Sequence, residues 1–272
     1  MFKNINDFAT AKISKQKIAM LTAYDFFSGN VALSAGVDVI LVGDSLGMVH
    51  QGKPNTLSLK TKDMIYHTNS VARGATDAFL VVDMPYLSYH TSILNTLKNA
   101  GKIIQKTPAQ AVKLEVSSLN TLPHIQALLD AQIPVVGHIG LTPQSVNAFG
   151  GFNVQGTDQK SADNLCKLAL ELQEIGVFAL VLECIPASLA KKITEQLSIP
   201  TIGIGSGADC DGQVLVIDDM LGMNINKTPK FVKKYLDGHA LVTKAISNYV
   251  DDVKSVKFPE EKHTFRSNYA ND

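Results

Sequence analysis

The chain has 272 residues, 25 basic and 25 acidic side chains, no net charge, 45% apolar and 18% charged residues, which excludes a disordered chain and gives no bulk electrostatic reason to bind nucleic acid. Its three cysteines, Cys166, Cys184 and Cys210, are widely spaced without a C-x-x-C pair, so neither a disulfide framework nor a thiolate zinc site is indicated. No secretory-type apolar stretch opens the chain and no run approaches the ~18 apolar residues of a membrane helix, so the expectation is a cytoplasmic protein without a membrane partner.

In chain order, eight short apolar, β-branched runs predict strands: 18–24, 37–44, 79–84, 111–116, 134–139, 178–184, 200–204 and 213–217. Helical periodicity fills most gaps, at 26–35, 62–73, 93–102, 122–131, 161–175 and 187–197. Runs such as Val39-Ile40-Leu41-Val42 are apolar on consecutive positions, as expected of parallel strands covered on both faces. Eight strands alternating with helices predict a (β/α)8 TIM barrel. A doubly wound sheet would use fewer strands and a glycine turn after the first, where Ala23-Tyr24-Asp25-Phe26 stands instead. Residues 230–250 read as a last helix and 253–272 as a polar tail, giving one barrel domain over 1–272 with a C-terminal helical extension from about 230.

In such barrels chemistry gathers where strands end. Five consecutive runs close on ionisable residues: Asp44 with Ser45, Asp83, Lys113 with Glu115, His138, and Glu183. The strand period of 2 puts Lys113 and Glu115 on one face, toward the axis, and Leu114 toward the helices. Polar strand ends also cap helices, so each residue alone has an ordinary explanation. Were Asp44, Asp83 and Glu115 to converge at ~4 Å, each ionised pair would repel by as much as ~4 kcal/mol at a dielectric of 20. Lys113 can neutralise one charge. A divalent cation would meet the rest, and hard oxygen ligands favour Mg²⁺ or Mn²⁺ over Zn²⁺; the alternative is that the carboxylates splay into separate salt bridges and caps.

Glu183 closes the apolar run 178–182, where burial raises a carboxylate pKa toward that of a general base; a strand-end carboxylate paired with a lysine is the other reading. His138 is open between metal ligand, proton carrier and hydrogen-bonded core residue. The stretch 203–208 fits G-x-G-x-x-A only formally, since a new apolar run starts too soon for the required helix; a tight glycine turn at the mouth of strand seven is expected. Lys227, Lys230, Lys233 and Lys234 form the one basic cluster, read as a solvated helix face.

These positions sit in long blocks: Thr22-Ala23-Tyr24-Asp25, Val42-Gly43-Asp44-Ser45-Leu46-Gly47-Met48, Gly137-His138-Ile139-Gly140-Leu141-Thr142-Pro143-Gln144, Leu182-Glu183-Cys184 and Asp211-Gly212-Gln213-Val214-Leu215. With Phe149-Gly150-Gly151, Val154-Gln155-Gly156, Gly203-Ile204-Gly205 and the ending Phe258-Pro259 through His263-Thr264-Phe265, the chain resembles the ketopantoate hydroxymethyltransferase family nearly end to end. The resemblance implies a (β/α)8 barrel assembled as a homodecamer, one Mg²⁺ per subunit, and 5,10-methylenetetrahydrofolate as cosubstrate. It implies transfer of the folate one-carbon unit to 3-methyl-2-oxobutanoate, giving 2-dehydropantoate in pantothenate biosynthesis, through a metal-stabilised enolate. By position it implies Asp44, Asp83 and Glu115 as the metal site, Asp44, Ser45, Asp83 and Lys113 as the keto-acid site, and Glu183 as the proton acceptor, with His138 a further active-site candidate. The chain departs from the family pattern at Val116-Ser117, where two glycines are common, and at Thr157 and Ser206. The competing readings are another Mg²⁺-dependent 2-oxo acid lyase or mutase on a related barrel, and a non-catalytic metal-binding barrel.

Overall fold

The computed structural model describes residues 2–225 and 228–266, so Lys227 of the basic cluster lies outside the described residues. Eight parallel strands close in sequence order into a barrel: β1 (Ile18–Thr22), β2 (Val39–Val42), β3 (Phe79–Asp83), β4 (Ala111–Glu115), β5 (Val135–Gly140), β6 (Ala179–Glu183), β7 (Thr201–Ile204) and β8 (Gly212–Leu215). Every predicted run overlaps its strand; β5 extends one residue past its run, to Gly140, and β8 begins one residue before its own, at Gly212. Closure comes from β1 against β8, with Ile18 opposite Gly212 and Leu21 opposite Leu215.

A helix α1 (Ile5–Ser14) precedes the barrel, and between the strands run α2 (Phe26–Ser34), α3 (Leu46–Val49), α4 (Thr61–Gly74), α5 (Ile93–Lys106), α6 (Leu122–Asp130), α7 (Val146–Phe149), α8 (Gln159–Glu174) and α9 (Ala187–Gln196). A short α10 (Ile217–Met220) follows β8. No helix separates β7 from β8. Gly205 and Gly207, at φ +67° and +84°, turn the chain back along the outside of the barrel, a path that non-glycine residues rarely follow. Ser206 between them is buried, and its hydroxyl donates to the Leu182 carbonyl at 2.8 Å, tying this turn to β6.

The barrel floor explains why its top can be polar. Alternate residues point inward, and the lower positions Met20, Val39, Leu41, Phe79, Val81, Ala111, Val136, Ala179 and Val181 fuse into one apolar cluster. One step further along the same faces, Val81 gives way to Asp83, Ala111 to Lys113 and then Glu115, Val136 to His138, and Val181 to Glu183. The register sets Asp83 beside Lys113 and Glu115 beside His138. The buried apolar floor holds these polar side chains at one end and shields them from below.

Helix α1 closes the bottom. Asn4 caps it in a reciprocal capping box with Asp7, and Phe8 stacks edge-on to Phe79 and Phe178 with ring centroids 5.3 and 4.9 Å apart. At the same end Asp211 accepts from Lys12 Nζ at 2.8 Å and from the Thr201 N–H at 2.9 Å. The family-like block beginning at Asp211 therefore includes a residue that clamps the barrel base.

Compactness divides the chain into two units, Met1–Ile217 with Pro229–Val232, and Asp218–Thr228 with Lys233–Asp272. The second contains α11 (Gly238–Lys254), whose first turn is tied down by Gly238 N–H to Leu221 O at 2.9 Å and His239 N–H to Gly222 O at 3.0 Å. The last helix thus starts at Gly238 rather than 230. Residues 230–237 are irregular apart from a turn at 230–231, so Lys230, Lys233 and Lys234 are exposed but do not form the helix face expected of them. Phe231 supplies the reason: its ring covers Gly205 so closely that a Cβ there would lie 2.9 Å from it, and the chain is held to the barrel at the point where the helical pattern begins.

Candidate active site

Five strand ends and the loops that follow them build a buried, charged cup. Asp44, Asp83, Lys113, Glu115 and His138 are each at most 5% exposed. Lys113 Nζ lies 2.9 Å from Asp83 Oδ1 and 3.2 Å from His138 Nδ1. Asp83 uses its other oxygen, Oδ2, to accept the Asp44 N–H at 2.9 Å, which fixes the loop after β2 against β3. Ser45 Oγ is 2.7 Å from the buried Tyr24 hydroxyl. His138 Nε2 stands 3.1 Å from Glu183 Oε2, and its Nδ1 is 3.7 Å from Glu115 Oε1. The strand ends singled out from sequence thus share one cup.

Glu183 is placed by an unusual local backbone. Gly140, at φ +96°, ends β5 where a Cβ would collide with the Glu183 carbonyl, and Leu141 N–H donates to that carbonyl at 2.8 Å. The glycine lets β5 and β6 approach closely enough to seat His138 beside Glu183. Val116, where the family commonly has glycine, continues the ladder with its N–H to His138 O at 2.8 Å, so this departure leaves the strand end in register.

Four carboxylates share the cup with a single ammonium. Burial, reinforced by the charge of Asp83, pushes Asp44 up to about 7. Burial and the charge of Asp44 raise Glu115 well above the usual carboxylate range. Burial raises Glu183 to about 7, against the opposing pull of Lys113. Lys113 itself would be lowered by burial, but Asp83, Glu115 and Asp44 outweigh that and keep it firmly charged. Burial and the neighbouring ammonium lower His138 well below its ordinary value, so the imidazole is neutral. Nδ1 then accepts from Lys113, which leaves the proton on Nε2, facing Glu183. That N–H is poorly aligned with the carboxylate, and Nε2 has no full hydrogen bond.

The negative charge is under-compensated, and its donors are hard oxygens, the chemistry of a Mg²⁺ or Mn²⁺ site. Asp83 Oδ1, buried, has the ammonium beside it but no aligned hydrogen bond. Among the described residues, no three His, Cys, Asp or Glu side chains are arranged to close together on one ion. Mg²⁺ is commonly held by one or two carboxylates and retains waters, so Asp44 and Asp83 fit it better than a direct three-carboxylate cage does.

Two residues essential to this geometry escape the strand-end argument. Tyr89 lies in the connection after β3 and Gln144 in a single 3-10 turn, Pro143–Ser145, after β5; both are buried, and their polar atoms reach back to Glu115 and Asp44. Gln144 does fall inside one of the family-like blocks; Tyr89 carries no comparable signal.

A model of the ketopantoate hydroxymethyltransferase family matches residues 3–261. The chain belongs to that family. Relatives named 3-methyl-2-oxobutanoate hydroxymethyltransferase include one from Clostridium botulinum, 50% identical over 98% of this chain and 96% of that protein. Another, from Leptospira interrogans, is 48% identical over 97% of this chain and the whole of that protein. Among solved structures, phosphoenolpyruvate phosphomutase from Streptomyces platensis subsp. rosaceus superposes with a TM-score of 0.63 at 13% identity, covering 97% of this chain and 92% of that one. A 2,3-dimethylmalate lyase of the PEP mutase/isocitrate lyase superfamily gives 0.57 at 13% identity, covering 97% and 93%. At such identity these two structures speak for the barrel alone. Membership of the hydroxymethyltransferase family rests on the sequence relatives.

Proposed function

We propose that this protein transfers the one-carbon unit of 5,10-methylenetetrahydrofolate to 3-methyl-2-oxobutanoate, giving 2-dehydropantoate. The observation that carries the reading is the pairing of a carboxylate at about 7, Glu183, with an acidic wall of Asp44, Asp83 and Glu115 across one buried cup. Overall, the C3–H of the keto acid is replaced by C3–CH2OH, water supplies the hydroxyl oxygen, and tetrahydrofolate leaves.

Asp44 and Asp83 would hold a divalent ion, with Glu115 completing the acidic wall. Such an ion would supply Lewis-acid chemistry, lowering the cost of negative charge on the keto oxygen of a 2-oxo acid. Lys113 and Ser45 orient the carboxylate end of the substrate. Glu183 removes the C3 proton, and the resulting carbon nucleophile attacks the folate methylene. His138, neutral, sets its Nε2–H on the side of Glu183 and gives the carboxylate no proton. The apolar floor keeps water from the deprotonated carbon.

The same reading extends to a cytoplasmic homo-oligomer, the decamer of the family pattern. Leu241, Ile246 and Tyr249 on α11 are each more than half exposed, as a self-association surface requires.

The pH dependence follows from the direction of the Glu183 shift. A base works only when ionised, and Glu183 takes up its proton as pH falls through about 7. Thus kcat/KM should decline about tenfold per unit below that point and level off above it; a profile flat from pH 5.5 to 8 would contradict the assignment. The activity itself is tested by incubating the protein with 5,10-methylenetetrahydrofolate, Mg²⁺ and 3-methyl-2-oxobutanoate and following 2-dehydropantoate by NMR. Absence of that product from folded protein would exclude the reading.

A further inference from the structure

Gln144 reaches two of the site's acids without being ionisable itself, Asp44 through its side chain and Glu115 through its backbone. Its Nε2 donates to Asp44 Oδ2 at 2.8 Å and to the Met84 carbonyl at 2.9 Å, and its backbone N–H donates to Glu115 Oε2 at 2.8 Å. The Tyr89 hydroxyl lies 2.9 Å from Gln144 Oε1 and accepts the Glu115 N–H at 3.2 Å. All four side chains are buried.

The orientation of the amide is over-determined. The Met84 carbonyl can only accept, so the NH2 group must face it, and the same NH2 then meets Asp44. Oε1 is left for Tyr89, whose one hydroxyl proton lies between it at 2.9 Å and the Glu115 carbonyl at 3.1 Å. Asp44 Oδ2 is thereby committed to the Gln144 amide, which leaves Asp44 Oδ1 to turn into the cup; Glu115 Oε2 is held separately, by the Gln144 backbone N–H. Partners of this kind fix the direction of a ligating carboxylate and are worth 10- to 100-fold in metal affinity.

We propose that Gln144, braced by Tyr89, is a positioning residue whose side-chain amide holds Asp44 in the orientation needed to bind a divalent cation. The inference rests on the divalent-ion reading of the cup above. It concerns residues that touch neither substrate nor reacting atoms and act only through the acids.

The test is Mn²⁺ titration of the full-length protein, followed by electron paramagnetic resonance of the free ion with no substrate present. Gln144→Met keeps length and removes both side-chain donors; its Mn²⁺ dissociation constant should rise at least tenfold, and at saturating Mn²⁺ and substrate kcat should return to within a few-fold of wild type. A purely structural role would lower the unfolding midpoint while leaving the dissociation constant of the folded protein within twofold of wild type, and that result overturns the inference. Tyr89→Phe leaves Gln144 in place but strips Oε1 of its donor, and serves if the first variant does not fold. It should weaken Mn²⁺ binding about threefold or more, and unchanged binding overturns the inference equally. A wild-type protein that takes up no Mn²⁺ overturns the divalent-ion reading and this inference with it, whereas wild-type uptake with unaltered variants overturns this inference alone.

Discussion

Glu183→Gln should lower turnover by about 10²- to 10⁴-fold, equivalent to roughly 3 to 5.5 kcal/mol of transition-state stabilisation, while the keto acid still binds. The amide has the shape of the carboxyl group but cannot accept the C3 proton. Its surroundings tolerate it: His138 Nε2, 3.1 Å away, is a donor that the amide oxygen can still meet. Replacing a buried group already at about 7 by a neutral one also removes no ion pair that the fold requires. Steady-state kinetics with calorimetric titration of 3-methyl-2-oxobutanoate separates the two quantities. A variant with kcat within fivefold of wild type would remove Glu183 from the chemistry.

Lys113→Met should produce the largest loss of stability in the cup, about 3 to 5 kcal/mol in denaturant unfolding above neutral pH. Lys113 is the sole ammonium among four carboxylates, and its removal leaves Asp83 Oδ1 without its partner at 2.9 Å. The sign of the pH dependence follows. Asp44 already holds its proton up to about 7 through burial and the charge of Asp83, and losing the ammonium strengthens that hold. At low pH the carboxylates are neutral and the variant loses little; as pH rises they must ionise unpaired in the folded state, so the deficit widens. A deficit below 1 kcal/mol at pH 8, or one that shrinks as pH rises, would show that Lys113 does not balance the acidic wall.

The barrel was legible because parallel strands covered on both faces carry unbroken apolar runs, and Val39-Ile40-Leu41-Val42 cannot be a half-exposed strand. Helix α1 was less so: its apolar residues are sparse, and its strongest local signal is the spacing of Asn4 and Asp7, which speaks for a helix start but not for Phe8 plugging the barrel floor. The last helix begins later than its periodicity predicts, because 230–237 has helical periodicity whereas Phe231 is held against Gly205 by tertiary packing that periodicity does not report.

The candidate site divides along similar lines. Asp83, Lys113, Glu115, His138 and Glu183 could be found because strand period and strand end together dictate where their side chains point. Tyr89 and Gln144 could not, since a loop residue's reach depends on the path of the loop. The pairing of His138 with Glu183 depends on the left-handed backbone at Gly140, whose need for glycine appears only when the Glu183 carbonyl is seen against it.

The central claim is that Glu183 takes the C3 proton of a keto acid held in this cup. Proton exchange at C3 of 3-methyl-2-oxobutanoate in D2O, followed by NMR with Mg²⁺ present and folate omitted, addresses it without the transfer step. The account predicts exchange by the wild-type protein and its loss in Glu183→Gln. Equal exchange by both proteins would contradict it.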